Sequence, residues 1–476
     1  MILSLLSSAL FFSLTGSSSP VPQRPLAPMT AAFPPAASSS HSLIKKSQLV
    51  KPPSPLGLAF PSSDPRVAQL GAGWCRGPEI VWGEIEKEPG KFDWSNLDRS
   101  IAAEVKLGLE PIPVLVPRSS WGASAVPEGW NNPISGLMAV TPPADPAAWG
   151  RFVSAVIERY DGDGDHDAPI PGVSIRFYQY TPDILDTWSA RVEDYIEFMR
   201  TTATAGIAAR KDVSFVLGSI RDQDLDLLRL AEKGTDEIRI GGIRFDRDQL
   251  EKTAPARERA DRLGKLLLDG KEFYSVVDVH HFESGSAIAD RLFFLDSWLR
   301  GKGLKRKVLW SLYNAAPAGA ANSSKIAGAM VQMALGSLYG GARRFAWPAD
   351  ARQMPDNETM RAYALIDSKG ETTAAGLAFQ DLAERLKDIQ GISRWNVAGA
   401  PVPVTAYQLD TPQKRTAVVW AESAITVSFP ATRSEVEVHS PGEAIRRIAA
   451  KDGWADLELG PAPLLVEGIG EPKPEN

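Results

Sequence analysis

The alternation of side chains over Val173–Tyr180, VSIRFYQY, predicts a β-strand, because β-branched and aromatic residues suit a pleated, half-buried surface. Pro182 ends the pairing, since proline has no N–H to give to a neighbouring strand. The strand therefore delivers Tyr178, Gln179, Tyr180, Thr181 and Asp183 to its C-terminal end. In a barrel of parallel strands, functional residues collect at that end.

The same patterns predict eight strands with helices between most of them. The strands are Val67–Trp74, Ile80–Ile85, Pro111–Val116, Val173–Tyr180, Val213–Ile220, Phe273–His281, Lys307–Tyr313 and Arg343–Trp347. The helices are Asp93–Leu107, Asp145–Tyr160, Glu193–Ala209, Asp224–Lys233, Ala287–Leu299, Ser324–Leu338 and Thr372–Asp388. This order indicates an α/β protein with a (β/α)8 TIM barrel over residues 56–390. The interval Arg221–Lys271 is longer than one loop and one helix require, so we expect an insertion there.

After Gly391 the pattern changes to short alternating runs separated by turns, which predicts a small all-β, β-sandwich-like domain over residues 391–472. The predicted strands are Val404–Leu409, Ala417–Ala421, Ile425–Phe429, Glu435–His439, Ala455–Leu459 and Leu464–Glu467.

The N-terminus predicts export. Ile2–Leu14 is an apolar run followed by small residues, too short to span a bilayer, so residues 1–16 are interpreted as a signal peptide. The run lacks a preceding basic residue, and a start at Met29 is the alternative. Residues 17–55 are rich in Ser, Pro and Ala, which predicts a disordered tether. The protein is expected in the periplasm, on the cell surface or outside the cell, and not in a membrane.

Composition excludes several classes of function. The formal net charge is −6, which argues against nucleic acid or an anionic membrane as the main partner. The single cysteine, Cys75, forbids an intrachain disulfide and any multi-cysteine metal site. Hydrophobic residues make up 43% and charged residues 23% of the 476, so a large core can be buried.

Several segments, in order along the chain, together resemble the retaining clan of (β/α)8 glycoside hydrolases that uses two glutamates, especially its xylosidase- and cellulase-like members with an appended β domain. The segments are Leu70–Asp98, Gly108–Leu115, Trp149–Gly164, Val276–Phe282, Arg343–Pro348, Tyr363–Asp367 and Ala374–Leu382. The resemblance covers residues 65–470. It implies the barrel fold, a sugar cleft at the strand ends, and a polysaccharide or oligosaccharide ligand.

The chain departs from that clan where the resemblance implies catalysis. The clan's acid/base glutamate ends strand four, where this chain has Thr181-Pro182, or Pro182-Asp183 if the alignment slips by one residue. Its nucleophilic glutamate ends strand seven, where this chain has Tyr313. Retaining hydrolysis needs two carboxyl groups about 5–5.5 Å apart. A tyrosine can replace the nucleophile, but it then needs an adjacent base.

A relocated pair of carboxylates is the alternative source of activity. Asp183 follows strand four and Glu283 follows strand six, and a wide pair would favour inversion through a water molecule. Both side chains could equally be solvated loop carboxylates.

Aromatic and polar residues at the predicted strand ends are candidates for contact with a saccharide, although each could instead fill the core. One of the adjacent histidines is expected to face the mouth and the other the core. Zinc is unexpected, because the chain has five His and no cluster of Cys. The candidates are Arg76, Trp82, Trp121, Tyr178, His280, His281, Tyr313, Asn314 and Trp347.

The loop DGDGDHD, residues 161–167, has carboxylates at every second position, as at the start of a calcium loop. Asp161, Asp163 and Asp165 are therefore candidate ligands of a structural calcium ion, and no other cofactor is expected. The loop lacks the distal glutamate of such sites, so a solvated acidic turn is the alternative.

Three hypotheses about function follow. The first is a pseudoenzyme that binds polysaccharide or acts as an envelope scaffold, and the second is an active hydrolase with relocated carboxylates. The third is a structural subunit of a larger protein assembly. Fold-level analogy cannot choose among them, because function belongs to the site.

Overall fold

The computed structural model describes most of the chain from residue 54 onward. The described residues are 31–32, 54–128, 130, 138–181, 183–240, 243–282, 287–315, 323–355, 357–397, 399–440 and 445–472. The predicted signal peptide, the alternative start at Met29, Pro182 and Glu283 lie outside them, as does most of the predicted tether. Of that tether, Ala31–Ala32 pairs antiparallel with Gly391–Ile392.

Eight parallel strands close into a barrel, which confirms the predicted fold class. They are β1 Leu56–Ala59, β2 Trp74–Val81, β3 Glu110–Val116, β4 Phe177–Tyr180, β5 Ser214–Arg221, β6 Val276–His280, β7 Val308–Ser311 and β8 Ala342–Pro348. Strand β8 closes the barrel against β1, with Phe345 opposite Leu56. The strands are mostly apolar and buried because helices cover the outside of the barrel and side chains fill its lumen.

The main helices surround the barrel and bury one apolar stripe each. They are α1 Ser95–Lys106, α2 Pro146–Arg159, α3 Val192–Ala209, α4 Asp222–Ala231, α5 Ala254–Asp269, α6 Ile288–Gly301, α7 Ser323–Tyr339 and α8 Ala374–Arg385. The predicted N-cap of α2 is confirmed, since the Asp145 side chain accepts a hydrogen bond from the backbone N–H of Ala147. Short helices and 3-10 turns cover Pro65–Gln69, Trp82–Ile85, Ile184–Thr187, Arg247–Lys252, Lys271–Phe273, Ala351–Gln353 and Glu358–Arg361.

The predicted first two strands are wrong. The segment predicted as strand one starts in the helix Pro65–Gln69, which Asp64 caps and which has proline at its first position. The segment predicted as strand two contains the end of β2 and the helix Trp82–Ile85. The true first strand, Leu56–Ala59, was missed because four residues carry little periodicity.

Strand four begins later than predicted. Val173 and Ile175 are buried, but their N–H groups bond to Ile170 and Tyr160 rather than to a neighbouring strand. The predicted insertion is present between β5 and β6, where a hairpin of Glu237–Ile240 and Ile243–Asp246 separates α4 from α5.

The C-terminal region is antiparallel, as predicted, with its own core around Trp395 and Phe429. Its strands are β9 Gly391–Trp395, β10 Val404–Asp410, β11 Arg415–Ala421, β12 Ile425–Pro430, β13 Glu435–His439, β14 Arg446–Ala449, β15 Trp454–Leu459 and β16 Leu464–Glu467. Ala31–Ala32, β9, β10, β11, β16, β13 and β14 form one sheet in that order, and β12 pairs with β15. The prediction missed β9 and β14.

The base of the lumen is packed around one buried cation. The Arg344 guanidinium lies 4.5 Å from the centre of the Trp310 ring and 5.3–5.4 Å from the rings of Trp74 and Phe177. It also donates a 2.7 Å hydrogen bond to Glu110. Among the described residues, these side chains fill the lumen at the N-terminal end of the barrel. Among the described residues, no helix has both the length and the apolar character to cross a membrane.

Candidate functional site

Polar side chains from alternate strands meet in the upper lumen. The side-chain amide of Gln179 on β4 donates a 2.7 Å hydrogen bond to Oδ2 of Asp278 on β6. Arg76 on β2 donates a weaker, 3.4 Å bond to Oε1 of Gln179. Gln179 and Asp278 are fully buried. Parallel strands closed into a barrel bring these residues together although they are about a hundred positions apart.

The Asp278 carboxylate organises the strand ends around it. Its Oδ1 accepts a 2.8 Å hydrogen bond from the backbone N–H of Leu312, just beyond β7. Its Oδ2 lies 2.8 Å from Nε2 of His280, although the two groups are not well aligned. A carboxylate oxygen tolerates this approach only if Nε2 carries a hydrogen, because two lone pairs would repel. The approach of Asp278 therefore favours a hydrogen on Nε2 of His280.

Asp183 lies above this polar layer, with 22% of its side chain exposed. Its backbone is left-handed, with φ 51° and ψ 48°. The Ser219 hydroxyl donates a 2.9 Å hydrogen bond to Oδ1 of Asp183 and accepts another from its N–H. Nδ1 of His280 lies 3.9 Å from the same Oδ1. The structure thus brings together two of the predicted residues, Asp183 and His280.

Tyr313, the other family position, follows β7. Its ring packs edge-on against Phe60, His280 and Phe282 at centroid distances of 5.5–5.9 Å. Its hydroxyl is buried and has no hydrogen-bond partner among the described residues. Burial raises the pKa of this phenol well above its ordinary value, and the Asp183 carboxylate adds to the rise. These surroundings disfavour a phenolate nucleophile.

Thr181 follows β4 and is also enclosed, with 1% of the residue exposed. Its backbone carbonyl accepts a 3.2 Å hydrogen bond from the Tyr195 hydroxyl on α3. A group at this place has no access to a leaving oxygen in the described structure.

Five of the predicted saccharide contacts are fully buried, which agrees with the alternative that such residues fill the core. They are Trp82, Tyr178, His281, Asn314 and Trp347, none of which has measurable exposure. The Trp82 and Trp347 indoles donate to Glu86 and to the carbonyl of Tyr363, and Asn314 accepts from the N–H of His281. Their residue types fit a sugar cleft, but their side chains are used to tie strand ends to the surrounding shell.

The two histidines have different surroundings. His280 lies beside Asp278 and Asp183 in the upper lumen, whereas His281 lies near the Arg291 guanidinium of α6. Burial lowers the pKa of His281 to about 3, and Arg291 contributes to the same shift. His281 is therefore neutral and structural.

The remaining predicted contacts border the mouth. Arg76 keeps a tenth of its side chain exposed and lies 3.7 Å from Glu79, whose side chain is 45% exposed. Trp121 is half-buried, and its indole donates a 2.6 Å hydrogen bond to the Glu86 carbonyl. It packs on Trp82 at 4.9 Å, so it is part of the wall beside the mouth.

Sequence reasoning missed the roles of Asp278, Ser219 and Glu79. Asp278 had a signal, because it is an acid within the apolar strand VVDVH, and a buried charge in a strand requires partners. Ser219 had none, since serine is common at strand ends.

No family model matches the chain, and no curated protein matches it in sequence. Solved structures do resemble it. A family 39 glycoside hydrolase from Bacteroides cellulosilyticus WH2 has a TM-score of 0.59 and 12% identity, covering 87% of this chain and 81% of that one. A GH30 endoxylanase from Clostridium papyrosolvens C71 has a TM-score of 0.56 and 13% identity, covering 87% and 95%.

A monomeric β-xylosidase from Caulobacter crescentus CB15 has a TM-score of 0.55 and 10% identity, covering 89% of this chain and 97% of that one. The chain has the fold of these glycoside hydrolases. At such identities the likeness establishes the fold alone, so the chemistry of the site depends on its own residues.

In this glycoside hydrolase fold, an ion network supports the mouth on the side of β5. Arg221 at the end of β5 donates a 3.1 Å hydrogen bond to Asp186, and Arg259 on α5 bonds to both Asp186 and Asp224. Burial raises the pKa of Asp224 although Arg259 opposes the shift. Asp186, Asp224 and Arg221 are buried and Arg259 is largely so, and a buried network with its partners in place makes this part of the rim rigid.

The acidic loop, residues 161–167, is held by hydrogen bonds between its own residues. Carboxylate oxygens of Asp161, Asp163 and Asp167 lie within 4.8 Å of one another, and Asp165 belongs to a separate group. The Asp167 carboxylate accepts from two glycine N–H groups, and Asp161 and Asp163 each accept from a backbone N–H two residues on. These bonds stabilise the turn, and the calcium site stays a prediction.

Proposed function

We propose that this chain is a carbohydrate-binding barrel of glycoside hydrolase fold that lacks two-carboxylate hydrolysis. Carbohydrate is favoured as the ligand class because the chain resembles structures named as a glycoside hydrolase, an endoxylanase and a β-xylosidase. Loss of hydrolysis is inferred from the strand ends, where chemistry in this fold takes place.

The surroundings of Tyr313 are the observation that carries the proposal. A tyrosine nucleophile needs a base within hydrogen-bonding reach, and this hydroxyl has no partner among the described residues. Its ring packs against the aromatic rings of Phe60 and Phe282 and the imidazole of His280. Together with the enclosed Thr181, it leaves no glutamate at either family position.

An active hydrolase with relocated carboxylates is the second candidate, favoured by the placement of Asp183. This carboxylate is partly exposed at the mouth, and its residue has a left-handed backbone, a strained conformation found more often at functional sites. Its proposed partner, Glu283, lies outside the described residues.

Export is part of the proposal and is supported by the apolar run Ile2–Leu14. An exported binding protein of this kind would contact polysaccharide outside the cytoplasm. A role as a structural subunit, with protein contacts on the barrel surface, is the remaining hypothesis and is distinguished by the experiment below.

The test combines turnover and binding measurements on the purified chain. Aryl glycosides and polysaccharides should show no hydrolysis above background, whereas a glycan array followed by calorimetry should show saccharide binding. Hydrolysis that Asp183→Asn and Glu283→Gln both abolish, with the exposed Asp248→Asn as a control, would establish the relocated-carboxylate enzyme instead. If the chain shows neither turnover nor binding, the proposal is contradicted and the structural-subunit hypothesis is favoured.

A further inference from the structure

The C-terminal domain consists of two layers of unequal width. One face of its larger sheet packs on the barrel, through Leu465 among others, and the other face packs against the two-stranded sheet of β12 and β15. Among the described residues, the larger sheet has seven strands, counting Ala31–Ala32. The outer layer of two strands therefore leaves part of the larger sheet uncovered.

A cavity of about 190 Å³ lies where the outer layer ends, beside β15. Residues Asp456–Glu458 of β15 form one wall of this cavity. Residues of the larger sheet form its floor, and of these Val438 and Leu464 are buried and Ile448 is half-buried. The cavity thus leaves an apolar surface partly open beside the edge of a strand.

The cavity lies within a hairpin whose strands separate. Lys451 and Trp454 exchange two backbone hydrogen bonds, of 2.8 and 2.9 Å, across the turn that joins β14 to β15. Beyond this turn β14 pairs with β13, whereas β15 pairs with β12. Among the described residues, β14 and β15 each keep one unpaired edge, and both strands line the cavity between them.

The backbone of β15 has free hydrogen-bonding groups at this edge. In an antiparallel pair, alternate residues bond to the partner strand and the residues between them face away. Ala431, at the end of β12, donates a 2.8 Å hydrogen bond to the carbonyl of Gly453. Counting on from this bond, Leu457 bonds to β12, and the N–H and C=O groups of Asp456 and Glu458 face the open edge. An edge of this kind is a template for one more strand.

The charges beside the edge determine which strand would fit. The exposed side chains of Asp456 and Glu458 point away from the core between the sheets, and neither forms an ion pair among the described residues. Basic residues beside them on an added strand would be favourable cross-strand partners. Arg446 lines the cavity on the same face of β14 as Ile448, so a basic residue that points inward would be repelled. The added strand must therefore be basic outside and apolar inside.

We propose that the open edge of β15 binds an extended segment of a partner protein in which basic and apolar residues alternate. The segment pairs with the backbone of Asp456 and Glu458, so the outer layer gains a third strand. Its apolar side chains fill the cavity over Ile448. Pairing of this edge with the same edge of a second copy is disfavoured, because it would bring like carboxylates together. The inference does not depend on carbohydrate binding.

Peptides of known pattern test the ligand class on the purified full chain, by fluorescence anisotropy at physiological ionic strength. Capped Lys-Val-Lys-Val-Lys-Val should bind at least about tenfold more tightly than Lys-Lys-Lys-Val-Val-Val, which has the same charge without the alternation. Glu-Val-Glu-Val-Glu-Val should bind no better than the second peptide. Equal affinity for the two basic peptides would overturn the proposal, because net charge alone would then explain binding. Absence of binding would also overturn it, and the charges at this edge would then serve to prevent pairing.

Two prolines test the backbone contact. Glu458→Pro removes an N–H that faces the open edge, where proline is tolerated. Thr426 lies opposite Glu458 in the register, so Thr426→Pro removes the matching N–H on the far edge of β12. Glu458→Pro should weaken binding of the alternating peptide about tenfold more than Glu458→Gln, which removes only the charge. Thr426→Pro should leave the affinity unchanged, and equal effects of the two prolines would overturn the site.

A change in the peptide repeats this test without altering the protein. The alternating peptide with methylated backbone nitrogens keeps its charges and side chains but cannot donate hydrogen bonds to β15. Its affinity should fall at least about tenfold. Undiminished affinity would show that the segment does not bind as a strand.

Discussion

Gln179 donates a 2.7 Å hydrogen bond to Asp278 across the barrel lumen, and this bond joins β4 to β6 beneath the mouth. A β-carbon at Gly218 would lie 2.3 Å from Nε2 of Gln179 and 3.0 Å from Cβ of Asp278. The absence of a side chain on β5 therefore leaves the space in which the two side chains meet.

Gly218→Ala should lower the free energy of unfolding by about 1–3 kcal/mol, because the new methyl group overpacks the lumen. Denaturant unfolding measures the change. Gly264→Ala on helix α5 is the control. A β-carbon at Gly264 would lie 3.6 Å from the Leu228 side chain, which is ordinary van der Waals contact. That control should be neutral or stabilising by up to about 1 kcal/mol. Equal behaviour of the two variants would mean that the lumen accommodates the methyl group.

Glu104 on α1 makes stability fall as the pH rises. Burial raises its pKa in the folded protein from 4.5 to about 8, with a small opposing effect of the Cys75 thiol. Between those pH values the unfolded chain loses this proton and the folded protein keeps it, so the folded state is progressively disfavoured. The loss is at most ~5 kcal/mol. Glu104→Gln should be the more stable form at pH 8 and should reduce the slope of stability against pH.

Chemical denaturation of wild type and Glu104→Gln at a series of pH values checks this prediction. The exposed Glu84→Gln serves as the control and should leave the pH dependence unchanged. Parallel curves for wild type and Glu104→Gln would show that Glu104 is ionised in the folded protein.

His281 makes the folded protein less stable at acidic pH. Its folded pKa is lowered to about 3 from the ordinary 6.5, chiefly by burial. As the pH falls below 6.5 the unfolded chain takes up a proton that the folded protein refuses, so stability is lost between these values, by at most ~5 kcal/mol. His281→Leu should lessen this acid loss, measured by unfolding between pH 7 and 4. The exposed His166→Leu should leave the loss of stability at low pH unchanged. The same loss in His281→Leu as in wild type would contradict the assignment.

Arg259 should be important for stability. It bonds to the buried acids Asp186 and Asp224, and its removal leaves Asp224 without its main cation. Arg259→Leu should destabilise by about 3 kcal/mol. Arg257→Leu on the same helix removes a more exposed pair with Asp261 and should cost less than about 1 kcal/mol. Thermal unfolding compares them, and similar losses would show that burial adds nothing to the network.

The barrel and its strands from the third onward followed from local pattern, but the choice of face did not. On β4, Gln179 points into the lumen while Tyr178 belongs to the shell between strands and helices. On β8, Ala346 lines the lumen and Trp347 packs outside it. Both faces of a parallel barrel strand are buried, so hydrophobicity does not mark which residues face inward. For this reason the burial of Trp82, Tyr178, His281, Asn314 and Trp347 could not be read from the sequence.

The sequence by itself determined the alternation of strands and helices, the antiparallel C-terminal region, and which residue types stand at the ends of β4 and β7. Those properties depend on neighbours along the chain. Only the tertiary structure decided that His280 stands between Asp278 and Asp183, and that Ser219 holds Asp183. Those contacts join β4, β5 and β6, and they depend on the stagger and closure of the barrel, which no local pattern encodes.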